Sequence, residues 1–133
     1  MANQMFDPGR EGFLDGSIDW DTDDIRFMLV LNSYSFDASD RYLSDLGAVD
    51  NGRTAALGSK TVTSGVADAA DTSLVATAAT ASGKLVAFKH TGSDATARVI
   101  CCIDTATGLP FTPAAGQTVN IAFDSGANRI FKL

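Results

Sequence analysis

Hydrophobic and polar residues alternate in short blocks along most of this chain, and the period changes twice near the start. The block 6–14 has a helical period: Phe6, Arg10, Phe13 and Leu14 fall on one stripe, Asp7 stands where an N-cap belongs, Pro8 follows at the first helical position, and Gly16 is placed to end the helix. Gly9 and Gly12 argue against helix there, because glycine costs backbone entropy in a helix interior. Residues 25–31 read as a strand buried on both faces, with Ile25, Phe27, Leu29 and Leu31 on one side and Met28 and Val30 on the other. Residues 37–46 return to a helical period, with Ser39 as cap and Tyr42, Leu43 and Leu46 as the apolar face. Asn51-Gly52 reads as a turn.

The rest is β in character. Short strands or edges are expected at 53–57, 60–64 and 72–77. Strands at 84–90 and 97–104 are joined by Thr91-Gly92-Ser93-Asp94 as a hairpin. A long loop over 104–117 holds Pro110 and Pro113, and strands 118–123 and 128–133 form a last hairpin across Asp124-Ser125-Gly126-Ala127. Val119, Ile121 and Phe123 alternate with polar or small neighbours, and Ile130 beside Phe131 suggests two buried faces for the last strand. The Ala-rich stretch 76–81 reads as a mobile loop. This spacing predicts a mainly β fold: an antiparallel β-sandwich or barrel, jelly-roll-like, with two short helices in the N-terminal half. With 133 residues and no composition break, residues 1–133 are expected to form a single structural domain.

Charge and cysteine content narrow the function. Ten basic residues face 16 acidic ones, for a net charge of −6, with no basic run. Binding to bare nucleic acid draws on Lys and Arg neutralising phosphates, so no nucleic-acid partner is expected. Cys101 and Cys102 are adjacent and are the only two cysteines. On a strand they point to opposite faces, which suits packed, reduced thiols rather than a disulfide framework. No stretch near the start has a signal peptide's basic opening and apolar run, and the longest apolar run, 27–31, is far too short to span a membrane. Folding in the cytoplasm of the producing cell, with no membrane partner, is therefore expected.

Candidate chemistry is thin. Asp19-Trp20-Asp21-Thr22-Asp23-Asp24 begins like a calcium loop, but Asp24 stands where glycine is needed and Val30 where a bidentate Glu is needed. The favoured reading is a polar turn whose aspartates cap backbone N–H groups. His90, the only histidine, falls at a strand end beside a hairpin. Neither a nucleophile elbow nor a zinc ligand set is present, and Gly9-Arg10-Glu11-Gly12 lacks the Lys-Ser/Thr of a phosphate loop. Trp20, Tyr34 and Tyr42 could line a sugar-binding surface, though scattered aromatics of this kind more often belong to core edges. No catalytic residues, metal or cofactor are assigned.

Several segments together resemble a family of small tailed-bacteriophage virion proteins: REGFLDGSIDW at 10–20, DIRFMLV at 24–30, SKTVTSGVADAAD at 59–71, IDTATGLP at 103–110 with Thr112-Pro113 beyond it, and DSGANRIFKL at 124–133. The resemblance covers nearly the whole chain and is less regular around 76–83. It implies a non-enzymatic part of the virion, assembled in the bacterial host cytoplasm, with capsid decoration (cement) on the phage major capsid protein as the leading role. A head–tail connector or tail component is the alternative, and a carbohydrate-binding β domain stands behind both. A cement role implies a homo-oligomer of closed symmetry, with a trimer favoured. Phe6, Phe13, Leu14, Ile18 and Trp20 form a dense apolar group for so short a segment, and are expected near the contact surface.

Overall fold

The computed structural model describes residues 4–104, 106, 109, 111–123, 125–127 and 129–133. The chain is mainly β, with antiparallel sheets and one N-terminal helix. Its elements are β1 (Gln4–Met5), α1 (Asp7–Asp15), β2 (Ile25–Leu31), a 3₁₀ turn (Leu43–Leu46), β3 (Asp50–Arg53), β4 (Thr61–Thr63), β5 (Val66–Asp68), β6 (Thr72–Val75), β7 (Ser82–Lys89), β8 (Val99–Ile103), β9 (Thr118–Ile121) and β10 (Phe131–Lys132). A five-stranded sheet has the order β1-β8-β7-β2-β3, a three-stranded sheet the order β10-β5-β4, and β6 pairs with β9. None of the three closes into a barrel among the described residues.

The five-stranded sheet is apolar on both faces because its central strands carry hydrophobic residues at successive positions. Phe27, Leu29, Leu85, Ala87 and Cys101 belong to one cluster, with Ala67 and Phe131 from the three-stranded sheet and Leu74, Val119 and Ile121 from β6 and β9. Met28, Val30, Val86, Phe88 and Cys102 belong to a second, closed by Phe6, Tyr34, Leu43, Leu46 and Val49. The two adjacent cysteines thus enter different cores, as strand alternation requires. Leu31 is the exception to the expected pattern in β2. A register shift between Val30 and Leu31 turns it toward the second cluster, away from Phe27 and Leu29. A second shift, between Ala87 and Phe88, places Ile100 with Cys101 in the first cluster.

Helix α1 forms where expected, and Gly16 ends it in the left-handed conformation (φ 79°). The cap differs by one residue: Phe6 is the extended N-cap, and Asp7 opens the first turn with its N–H donated to Ala38 O at 2.8 Å. The face that α1 buries is Pro8, Gly9 and Gly12, not the apolar stripe, because the missing side chains let it approach β8 and Ile18. The second expected helix, over 37–46, reduces to the 3₁₀ turn. Upstream of it, the Asp37 carboxylate accepts from the Ser39 N–H and hydroxyl, a local turn that competes with helix. Next, 41–43 pairs with the start of the β8 segment: Val99 N–H donates to Arg41 O and Leu43 N–H to Ala97 O.

Two further expectations are corrected. Asn51-Gly52 is no turn but the middle of β3, with Asn51 fully buried. Its amide Nδ2 donates to Ser82 Oγ (2.9 Å), and its Oδ1 accepts from the backbone N–H of Thr77 and Ala78, so the Ala-rich stretch is pinned at its start. The last hairpin is not made: β9 pairs with β6 and β10 with β5. The strand β5, which was not expected from the sequence, supplies β10 with its partner. The Ser64 and Gly65 conformations (φ 54° and 78°) fold β4 back on β5. Asp124 and Asn128 of the expected hairpin, and Pro110 of the long loop, lie outside the described residues. The hairpin of β7 and β8 forms as expected.

Candidate functional site: an apolar groove beside a sheet edge

The open end of the first core forms a groove of about 350 Å³ between the end of α1, the turn 18–21 and the three-stranded sheet. Pairing of Ala67 with both Val62 and Phe131 puts these three residues in one row across β4, β5 and β10, facing the groove. Phe131 anchors the row. Trp20 meets its ring edge-on at 5.2 Å, and Phe13 packs against it at 5.6 Å. The Trp20 indole N–H donates to Asp68 O (3.1 Å), which ties the turn to β5.

The rim is acidic. The carboxyl groups of Asp19 and Asp21 share a hydrogen bond, which raises Asp21 above the usual carboxylate range and, with help from Thr22, lowers Asp19. The other aspartates of this turn are engaged by the protein. Asp23 accepts the Asp19 N–H at 2.8 Å and faces Lys89 Nζ at 3.1 Å, while Asp24 takes Arg26 with both oxygens at 2.9 Å. The segment that opens like a calcium loop therefore has the capped geometry of a polar turn.

The five expected contact residues are not brought into one patch. Phe6 is fully buried in the second core, against Phe36. Ile18 and Trp20 line the groove floor but are only 3% exposed. Phe13 is half-buried at the groove wall, and Leu14, 88% exposed, projects from α1. The groove's most accessible apolar side chains, Val62 (57%) and Leu133 (56%), come from segments not singled out in the sequence. The available signal was Val62 itself, an apolar residue between two threonines in a strand with no buried face.

The cysteines and the histidine are placed elsewhere. Cys101 and Cys102 are buried, and burial pushes the Cys102 thiol up to about 12 and Cys101 higher still. Thiols held neutral in this way are poor nucleophiles. His90 follows β7, donates its backbone N–H to Asp24 O at 2.8 Å and sets its ring near Phe88. No helix among the described residues is long and apolar enough to cross a membrane. Comparison of the chain with protein-family models, with curated proteins and with solved structures found no match.

Proposed function

We propose that this chain is a non-enzymatic structural protein of a tailed-bacteriophage particle, decorating the capsid and reinforcing its lattice. The observation that carries the reading is the apolar groove, with Val62 and Leu133 exposed along it, on a body with two filled cores. Large apolar side chains kept in water at a groove rim are the mark of a docking surface. They come from β4 and from the residue after β10, so the surface exists only once the chain has folded. The segments that resemble phage virion proteins supply the identity of the assembly, with the major capsid protein as the docking partner. A net charge of −6 disfavours contact with packaged nucleic acid.

In this reading the packing of the five-stranded sheet against the two smaller ones is a β-sandwich, a stiff plate suited to bracing a shell. The test is the copy number of the chain in purified particles, by quantitative mass spectrometry against the major capsid protein. Near-parity is the expected result. A small fraction of parity would assign the chain to the head–tail connector or the tail instead. Absence from the particle would overturn the structural reading and favour a ligand-binding domain.

A further inference from the structure

The order β10-β5-β4 leaves β4 at the edge of its sheet. Edge strands are normally guarded by charge, proline or a bulge, because their unpaired N–H and C=O groups are a template for another strand. β4 is Thr61-Val62-Thr63, exposed throughout; it is short, but it carries no charge, proline or bulge. The two-residue turn Ser64-Gly65 makes Thr63 and Val66 the closing pair of the hairpin, so their N–H and C=O groups face each other. By alternation, Val62 directs its own N–H and C=O away from β5, to the open side.

We propose that β4 is a self-pairing edge, through which two copies of the chain join antiparallel across a two-fold axis at Val62. The strand reads the same in both directions, so the axis sets Val62 opposite Val62 and Thr61 opposite Thr63, the self-complementary contact that a two-fold requires. Threonine pairs across strands are favourable. The Val62–Ala67–Phe131 row then continues unbroken into the same row of the second copy, and the two half-exposed valines cover each other. Charge does not oppose the approach: the axis residue is neutral, Lys60 Nζ is held by Asp23 O at 2.6 Å, and Asp68 faces Arg129 at 3.8 Å. A second copy of this chain therefore fits the edge without a charge conflict. The contact does not rest on the virion reading; it covers Val62, which leaves Leu133 as the groove residue open to a capsid, and its two-fold differs from the trimer expected for a cement protein.

The test uses the full chain in solution. Sedimentation velocity over a concentration series is expected to show monomer and dimer in exchange. Val62→Lys should raise the dissociation constant by at least about tenfold. A second measurement does not depend on that variant. In a hydrogen-bonded antiparallel pair opposed Cα atoms stand about 5.5 Å apart, within disulfide reach. Mild oxidation of Val62→Cys should thus give a covalent dimer, while Val75→Cys, similarly exposed on β6, should stay monomeric. The native cysteines are buried and take no part. A wild-type chain that stays monomeric or forms trimers, a dimer indifferent to Val62→Lys, or equal cross-linking at Val75 would each overturn the proposal.

Discussion

Gly9 of α1 lies directly on Ile100 of β8: a Cβ built on Gly9 would stand 2.6 Å from the Ile100 carbonyl oxygen and 2.9 Å from its Cα. In an isolated helix, Gly→Ala is worth about 1 kcal/mol in favour of the helix. Here the sign reverses, since backbone atoms of a central strand have no room to retreat. Gly9→Ala should destabilise the fold by about 1–3 kcal/mol, the usual range for overpacking. Urea unfolding should show a lower midpoint with an unchanged slope. Gly58→Ala, where nothing lies within 4 Å of the added Cβ, is the control and should leave the midpoint unmoved or slightly raised.

Asn51 joins three parts of the chain. Replacing it by Ala removes the acceptor of the part-buried Thr77 and Ala78 N–H groups and the donor to Ser82 Oγ, which keeps its own bond to Thr80 O. The expected loss is about 1–3 kcal/mol, the range for hydrogen bonds lost at partly buried groups. Hydrogen exchange gives a local check: the amides of Thr77 and Ala78 should lose protection well before those of β7. Gly52→Ala should be at least as harmful. Its φ is 115°, and the new Cβ would meet Val75 O at 2.3 Å.

The two buried thiols predict a loss of stability in alkali. Both are raised in the folded chain by burial, from an ordinary value of 9.0. In the unfolded chain they ionise as pH rises through 9, while in the folded chain they stay neutral until about 12 or above. Their contribution is therefore intact below pH 9 and declines above it, by up to about 1.4 kcal/mol per pH unit per thiol. Denaturant titrations at rising pH should show this slope, and a Cys101→Ala/Cys102→Ala variant should flatten it. A thiol reagent at neutral pH should label neither cysteine faster than the chain opens.

Leu14 separates docking from folding. At 88% exposed it contributes little to the core, so Leu14→Lys should change stability by less than about 0.5 kcal/mol. If Leu14 helps to hold the chain on a capsid, the same change should lower its occupancy on particles. Retention of full occupancy by Leu14→Lys would remove Leu14 from the docking site. Trp20→Ala cannot make that distinction. Its indole is buried against Phe131 and hydrogen-bonded to Asp68, so truncation should cost about 3–5 kcal/mol of stability.

Local order was legible in the sequence wherever a short stretch carries its own reasons. The both-faces-buried pattern of 25–31, the glycine stop at Gly16, the β7–β8 hairpin and the opposed directions of Cys101 and Cys102 all follow from period, turn chemistry and alternation. Those rules act over a few residues, and so did the readings that held.

What the tertiary structure alone decided are the matters in which distant segments compete for one partner. Asn51-Gly52 carries a strong turn signal, yet β2 offers a ladder on one side and buried acceptors and donors wait for the Asn51 side chain on the other. Segment 118–133 reads as a hairpin, yet β6 and β5 each hold a free edge that pairs with one half of it. The groove follows the same rule: Phe13 and Trp20, Val62, and Phe131 and Leu133 come from three segments far apart in sequence and meet only when β10 docks on β5. Local rules settle which residues are apolar and some of the places where the chain turns. Which apolar residues stay in water was decided by long-range pairing, because strand partners and core clusters are chosen by what the whole chain can bury at once.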